Sequence, residues 1–149
     1  MKEIKINEEN IIKFIDNLRI QDKEELIYTH GKKYKQKFIE IIFKLDDYYF
    51  LSYCNIPIAM GGVVNLNNNK GQVWLLSTNE EYKHRFYLYK YIKNKINLFK
   101  NSYDFLFNYI YKSNFEALKW LTKFDFKFKN TENTDFKFFY YIKGENFDL

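Results

Sequence analysis

The chain has little cysteine, histidine or arginine among its 149 residues. Cys54 is the only cysteine, so no intramolecular disulfide and no cluster of thiolate ligands can form, and a reducing compartment is expected. His30 has no Cys, Asp or His at ligand spacing, and we therefore predict no metal site. The first residues lack the uninterrupted apolar segment and the cleavage site of a secretory signal, which predicts a cytoplasmic protein.

The two arginines stand against 22 lysines, 17 asparagines and 16 isoleucines, a bias typical of codons rich in A and T. The net charge is +5, and the densest basic segment is HGKKYKQK, residues 30–37. Arginine, which grips phosphate through two parallel hydrogen bonds, is absent from that segment. A solvated surface is its favoured interpretation, and nucleic acid is not an expected partner.

Residues 48–69 carry no formal charge, yet Pro57, Gly61, Gly62 and several asparagines argue against a membrane span. Two buried strands joined by a turn explain them better, so no membrane partner is expected. Aromatic residues make up 21% of the chain and hydrophobic residues 46%. That is enough to build a core, and residues 1–149 are predicted to form one domain.

Hydrophobic periodicity predicts the element order β, α, α, β, β, β, α, β, α, β, β. The segment NEEN should begin the first helix, and the second helical region, 21–45, should break near Gly31. An antiparallel hairpin with its turn at NIP should precede VWLLST, a fully buried strand. Ser113 and Glu116 form a capping box for the last helix. The long helix is predicted from an apolar stripe of Tyr82, Phe86, Tyr89, Ile92, Ile96 and Phe99.

This order describes an α+β fold, a mixed and mostly antiparallel sheet flanked by helices. With the segments IPIAMGG, VWLLST and NYIYKSNFEALKWLTKFDF, it resembles the GNAT-type N-acetyltransferase superfamily. More narrowly, it resembles a phage-borne branch that includes internal virion proteins and acetyltransferase-like proteins. The resemblance covers most of residues 48–128. It implies acetyl-CoA as co-substrate, a host or phage protein as partner, and a location in the host cytoplasm or the virion.

The family's last acyl-CoA element is an Asn at a strand end, an Ala three residues later, and a Gly-Phe pair that closes the helix. Asn114, Ala117 and Phe126 match this pattern, whereas Asp125 replaces the Gly. The resemblance implies cofactor contacts by six residues, namely Leu76, Thr78, Lys83, His84, Arg85 and Asn114.

The family's pyrophosphate pattern, Q/R-x-x-G-x-G/A, aligns with residues 83–88. Phe86 and Leu88 occupy both glycine positions, where side chains would crowd a backbone cradle. Two interpretations stay open. Either Lys83 and its two neighbours replace backbone donors with side-chain charge, or they are a solvated first turn and Phe86 belongs to the core.

No catalytic residue is assigned. Leu121 stands where the family often has a general-acid Tyr, and it completes a core-facing stripe with Ala117, Trp120 and Phe124. Proton donors could come from Tyr109, Tyr111, Tyr140 or Tyr141, and base candidates are Glu80, Glu81 and His84. Cys54 has no His partner and is expected to be buried.

Two functional hypotheses follow. The first is an acetyl-CoA-dependent N-acetyltransferase that acts on an amine of a host protein or a small molecule. The alternative is a catalytically inactive GNAT-like protein, either a phage structural component or a binder of a host factor. The missing glycines and the missing helix Tyr favour this alternative.

Overall fold

The computed structural model describes residues 1–45 and 47–144. The strands in this part of the chain are β1 (Lys2–Glu3), β2 (Tyr48–Tyr53), β3 (Ile56–Asn65), β4 (Lys70–Ser77), β5 (Phe105–Tyr111), β6 (Lys127–Asn130) and β7 (Phe136–Ile142). The helices are α1 (Glu8–Asp16), α2 (Ile20–His30), α3 (Tyr34–Ile42), α4 (Arg85–Ser102) and α5 (Phe115–Lys123). Two 3₁₀ turns span Gly31–Lys33 and Asn79–His84. The predicted order of elements is confirmed, with the second helical region divided into α2 and α3.

The strands form one mixed sheet in the order β1-β2-β3-β4-β5-β7-β6. The pairs β1/β2, β2/β3, β5/β7 and β6/β7 are antiparallel, whereas β4 and β5 are parallel. A parallel pair requires a long connection, and α4 supplies it. The predicted α+β architecture, a mixed sheet flanked by helices, is therefore confirmed.

The chain divides into two compact units, whose boundaries fall inside β3, β4 and α4. The first unit comprises Met1–Gly62 and Leu75–Leu88, and the second comprises Val63–Trp74 and the chain from Tyr89 onward. The single domain expected for residues 1–149 stays a prediction. No helix in the described part of the chain is long and apolar enough to cross a membrane.

The core of the first unit is made by α1, α3 and the β2/β3 hairpin. Phe14 of α1 is completely buried and meets the ring of Phe50 edge-on at 5.5 Å. Asn7 caps α1 by accepting a hydrogen bond from the backbone N–H of Asn10 at 2.8 Å, as NEEN predicted. Gly31 has a φ of 77°, and α2 ends there, so the predicted break is confirmed.

The second unit is built around the inner face of β5 and the helices α4 and α5. Leu106 is completely buried, and Ile110 is nearly so. Tyr89 of α4 stacks on Phe124 at 5.3 Å and thereby joins α4 to the end of α5. The closing hairpin of β6 and β7 is antiparallel, as predicted around TENTD.

Two features of the predicted hydrophobic pattern are wrong. The strand VWLLST is not fully buried, because Trp74 and Leu75 are half-exposed. Tyr82 and Phe86 are 70% and 65% exposed and do not belong to the core stripe of the long helix. Tyr82 lies in a 3₁₀ turn, where side chains follow a period of three, and the buried stripe begins instead with Leu88.

The capping box at Ser113 and Glu116 is also wrong. Asn114 is the N-cap residue of α5, and its side-chain oxygen accepts a hydrogen bond from the backbone N–H of Ala117 at 3.4 Å. The predicted core stripe of α5 is only half-buried at Ala117, Trp120 and Leu121. This helix therefore lies at the edge of the core, and Phe124 alone of the predicted stripe is buried.

The β2/β3 turn begins one residue earlier than predicted and shares only Asn55 with the segment NIP. Cys54 and Asn55 form it, with φ values of 49° and 65°, and Pro57 lies within β3. Cys54 is exposed, so the expectation of a buried cysteine is wrong. Cys54 is exposed because it lies at the tip of a tight hairpin, where a side chain faces solvent whether it is polar or apolar.

Candidate functional site

Thr78 lies between β4 and the 3₁₀ turn that leads to α4, and it is the N-cap residue of that turn. Its hydroxyl oxygen accepts a hydrogen bond from the backbone N–H of Glu80 at 3.3 Å and lies 3.2 Å from the carbonyl oxygens of Pro57 and Ile58. Its backbone N–H donates to the carbonyl of Ile58 at 2.9 Å, and its own carbonyl accepts from Glu81 at 3.1 Å. Thr78 is thus a buried residue whose hydrogen bonds connect the end of β4 to β3 and to the turn.

A buried cluster of charged side chains holds the same connection between β4 and the 3₁₀ turn in place. Arg19, between α1 and α2, donates hydrogen bonds from Nε and Nη2 to the two carboxylate oxygens of Asp22, both at 3.3 Å. Its Nη1 atom lies 3.1 Å from Oε2 of Glu81. The backbone N–H of Ser77 donates to Asp22 at 2.8 Å, and the Ser77 hydroxyl donates to Glu81 at 2.9 Å. We name Arg19, Asp22, Ser77 and Glu81 the buried charge cluster.

Burial raises the pKa of Asp22, and the neighbouring Arg19 guanidinium opposes that shift. The cluster holds one cation, Arg19, against the carboxyl groups of Asp22 and Glu81. This cluster was not predicted from the sequence. The available signal was Arg19 itself, one of two arginines in a chain that otherwise uses lysine.

The predicted basic residues follow this cluster along the chain, with Lys83 exposed and with His84 and Arg85 half-buried. Lys83 is 3.4 Å from the carboxylate of Glu80, and its side chain is 72% exposed. The ring of His84 lies against that of Tyr53 with centroids 4.4 Å apart, and the Arg85 guanidinium lies 4.5 Å from the Tyr82 ring centroid. Helix α4 has no acidic residue in its first turn. The first turn of α4 therefore has no carboxylate to offset its dipole, whereas Glu80 in the preceding turn offsets the charge of Lys83.

The two side chains at the glycine positions behave differently. Leu88 is completely buried in the core, whereas Phe86 is exposed and meets the ring of Tyr87 edge-on at 5.6 Å. The hypothesis that Phe86 is a core residue is therefore wrong. Because Leu88 is buried, its side chain does not occupy the solvent-facing start of α4.

The base candidates have separate environments in the folded protein. Glu81 is 4% exposed and belongs to the buried charge cluster. Glu80 is paired with Lys83 at the surface, and His84 lies against Tyr53. The proximity of the three residues in sequence does not produce a shared acid-base site.

In the second unit, a side chain continues the hydrogen bonding between β4 and β5. The parallel register runs from Lys70 and Phe105 to Gln72 and Phe107. Asn108, the next residue of β5, donates from its amide nitrogen to the carbonyl oxygen of Val73 at 2.7 Å. Its amide oxygen accepts from the Gln72 side chain at 3.2 Å. Asn108 was not predicted from the sequence, although an Asn within the aromatic strand FLFNYIY is unusual for a strand interior.

The remaining predicted residues are distributed over both units. Leu76 is buried in β4, and Asn114 is 3% exposed beneath the start of α5. Three of the tyrosine candidates lie on one face of the β5/β7 pair, as the pairing of Tyr109 with Phe138 shows. Tyr141 lies on the opposite face, with the Lys100 ammonium 4.8 Å from its ring centroid.

No protein-family model matches the chain. An asparagine synthetase domain-containing protein of Drosophila melanogaster is 32% identical over 60 residues, which are 40% of this chain and 11% of the fly protein. The chain thus matches about a ninth of the length of that relative. A likeness this short carries no statement about fold or activity.

Solved structures resemble the chain over nearly its whole length. The PaiA N-acetyltransferase of Thermoplasma acidophilum, in complex with coenzyme A, is 17% identical with a TM-score of 0.69, covering 95% of this chain and 98% of that one. The N-acetyltransferase PseH of Campylobacter jejuni, in complex with acetyl coenzyme A, is 18% identical with a TM-score of 0.56, covering 96% and 99%. The GNAT domain of S. lividans PAT is 12% identical with a TM-score of 0.68, covering 95% and 88%. The chain therefore has the GNAT N-acetyltransferase fold.

Proposed function

We propose that the protein is an acetyl-CoA-dependent N-acetyltransferase whose cofactor pyrophosphate binds at the start of α4. The observation that carries the proposal is the pair of basic side chains at the start of this long helix. Lys83 is exposed beside the surface carboxylate of Glu80, and the half-buried Arg85 opens a helix whose first turn holds no acidic residue. Basic groups at a helix N-terminus oppose the dipole unless an anion is bound beside them. Structures of the same fold that contain CoA or acetyl-CoA support this proposal.

In this proposal, side-chain donors replace the backbone cradle of the glycine-rich pattern. Lys83 and Arg85 supply charged hydrogen bonds to phosphate oxygens, which are stronger than neutral ones, and His84 adds a ring N–H donor. The exposed Tyr82 and Tyr53 rings hold Arg85 and His84 close to the helix start. Phosphate binding then depends on charge at these residues and not on a close backbone approach.

The pantetheine arm is proposed to bind along the part of β4 that follows the Asn108 bridge. There the amide of Asn108, and not the backbone of β5, bonds to Val73. The backbone pairing of β4 with β5 runs as far as Gln72 and Phe107, and extended ligands commonly align with a strand edge. Leu76 and Asn114 each remain proposed cofactor contacts, as the resemblance implies. Because Thr78 uses its polar atoms within the protein, we assign it the role of shaping the turn.

The reaction itself is a direct acyl transfer. The amine nitrogen attacks the thioester carbonyl carbon, the carbon–sulfur bond breaks, the nitrogen loses a proton and the CoA thiolate gains one. Alignment of the two partners and polarisation of the carbonyl provide most of the required rate enhancement. Leu121 cannot donate a proton, so the proposed donor is one of the tyrosines on β5 or β7.

Isothermal titration with acetyl-CoA tests the binding step. We expect a dissociation constant between about 1 µM and about 1 mM, the usual range for substrates of such enzymes. Absence of heat at about 1 mM would refute the enzyme proposal. Transfer is then measured by release of CoA thiol with a panel of amines, including polyamines and peptides with a free N-terminus. The exposed Cys54 reacts with thiol reagents, so Cys54→Ser is the proper background for this assay.

A second candidate is a GNAT-like protein without catalytic activity that acts in a phage particle or binds a host factor. The loss of both glycines and the presence of Leu121 favour this candidate, as does the resemblance to phage-borne proteins. Tight acetyl-CoA binding together with measurable turnover would exclude it. Binding to a protein of the bacterial host without any acetyl-CoA binding would support it.

A further inference from the structure

One face of the part of the sheet formed by β5, β7 and β6 carries mostly aromatic side chains. The strand register places side chains from the three strands on this face, which we name the aromatic face. Its members are Phe105, Phe107, Tyr109 and Tyr111 of β5, Phe136, Phe138, Tyr140 and Ile142 of β7, and Lys127 and Lys129 of β6. Alternation along each strand puts these residues on the same side of the sheet.

The rings contact one another across the strands. Phe138 is central, with ring centroids 5.2 Å from Tyr109, 5.7 Å from Tyr140 and 5.9 Å from Phe107. At the end of β5, Tyr111 stacks on a phenylalanine of β7 at 4.4 Å. The rings of the aromatic face therefore form a continuous cluster. This cluster is preorganised, because the ring contacts exist before any ligand binds.

The two faces of this part of the sheet differ in exposure. On the opposite face, Leu106, Ile110 and Phe139 are all at least 94% buried. On the aromatic face, Tyr109 is 53% exposed, five further rings are half-buried, and Tyr140 is the one buried ring. Cross-strand aromatic pairs stabilise a sheet, but a core does not require so many rings on its solvent side.

The charged groups of this face are all positive. Lys127 and Lys129 lie on β6, and Lys70 of β4 shares the face because it pairs with Phe105. Within these strands no acidic residue occupies the aromatic face among the described residues. Two copies of the face would therefore bring lysines against lysines, which disfavours a face-to-face dimer. The charge pattern suits a polyanion.

We propose that the aromatic face binds single-stranded nucleic acid. Bases stack on exposed rings such as Tyr109, and phosphates pair with the lysines along the edge strand β6, a combination suited to single strands whose bases are unpaired. The scarcity of arginine argues only against binding modes in which guanidinium groups recognise the nucleic acid. Base stacking on aromatic rings does not require arginine. This surface shares no residue with the basic segment 30–37, and the proposal does not depend on the acetyltransferase activity.

Fluorescence anisotropy tests the proposal with a fluorescein-labelled oligothymidylate of about fifteen nucleotides. We expect binding that Tyr109→Ala weakens about tenfold, because one stacking ring is removed. Lys127→Ala combined with Lys129→Ala should also weaken it and reduce the salt slope by roughly 1.4, since each phosphate that a lysine neutralises adds about 0.7 to the slope. Circular dichroism confirms that each variant is folded, and a Phe138→Leu variant repeats the test at the centre of the cluster.

Matched controls come from the first unit. Tyr28 of α2 is 55% exposed, so Tyr28→Ala removes a comparable ring from another surface. Lys32→Ala with Lys33→Ala removes two charges from the segment 30–37. Both should leave the affinity unchanged. The proposal is overturned if the oligonucleotide does not bind, if the controls weaken binding equally, or if a duplex of the same length binds as tightly. Self-association that Tyr109→Ala abolishes would also overturn it, because the face would then bind a second copy.

Discussion

The Arg19 guanidinium and the Asp22 carboxylate form a two-pronged hydrogen-bonded pair, with both N–O distances at 3.3 Å. The pair is buried, and the same arginine also holds Glu81, the third residue of the turn that begins after Thr78. The connection between α1 and α2 is thereby fastened to the turn that leads to α4. The proposed phosphate site depends on this anchor for its position.

Replacement of Arg19 by Ala should lower the free energy of unfolding by about 3–5 kcal/mol, because two buried carboxylates lose their cation. Urea denaturation measures the loss. Arg19→Lys should recover only part of it, since one ammonium cannot match the planar fork toward Asp22. A loss below about 1 kcal/mol for Arg19→Ala would show that the cluster does not act as an anchor.

The pH dependence of stability should report on Asp22. Its pKa is raised in the folded state, chiefly by burial, so the folded protein holds this proton more tightly than the unfolded chain does. The resulting stabilisation is full below the unfolded pKa and is lost as pH rises through the folded pKa. Asp22→Asn should remove this component from denaturation curves measured between about pH 4 and about pH 7. An identical pH dependence in both proteins would contradict the assignment.

Acetyl-CoA binding should weaken when charge is removed from the start of α4. Lys83→Ala and Arg85→Ala should each raise the dissociation constant about tenfold, the lower end of the effect of a charged hydrogen bond. Lys93→Ala, farther along the same helix, is the matched control and should have no effect. Unchanged affinity in both test variants would place the pyrophosphate elsewhere. Isothermal titration distinguishes these results.

Asn108→Ala should destabilise the protein by about 1–3 kcal/mol, because the Val73 carbonyl and the Gln72 amide lose their partner. It should also weaken acetyl-CoA binding if the pantetheine arm binds beside this bridge. Asn101→Ala, at an exposed position of α4, serves as the control. Full stability in the Asn108 variant would show that the bridge is not required to hold the two strands together.

Gly62→Ala should be more harmful than Gly71→Ala. A Cβ atom at Gly62 would meet backbone atoms, the Asp47 carbonyl oxygen and the Tyr48 Cα at 2.8 Å, which cannot rotate away. A Cβ atom at Gly71 would meet side chains, including a methyl group of Val63 at 2.5 Å. Overpacking against movable side chains costs about 1–3 kcal/mol, and the loss at Gly62 should exceed it. Equal melting temperatures would contradict this ranking.

Local patterns predicted most of the fold. Alternation and helical spacing depend on neighbouring residues, and they located the hairpin before VWLLST and the break at Gly31. They failed where one element changed into another. Tyr82 fits a helical stripe only if the helix has already begun, and the protein forms a 3₁₀ turn there. Ser113 fits a capping box, but Asn114 takes the cap one residue later.

The candidate site was less predictable, because its members meet only in the folded chain. Lys83 to Arg85 were singled out because the resemblance aligns them with the family's pyrophosphate pattern. Arg19 and Glu81 were not paired, since charges far apart in sequence leave no periodic signal. Asn108 was not predicted, because its hydrogen bonds are to β4, which lies far from it in sequence and leaves no local pattern around it.

The sequence by itself determined the order and type of the elements, the single cysteine and the supply of aromatic and basic residues. Those properties follow from composition and short-range spacing. Only the tertiary structure decided which charges are buried together, where a side chain continues the β4/β5 ladder, and which rings share the aromatic face. Such choices depend on strand register and on packing between distant segments, where desolvation and contact geometry determine the free energy.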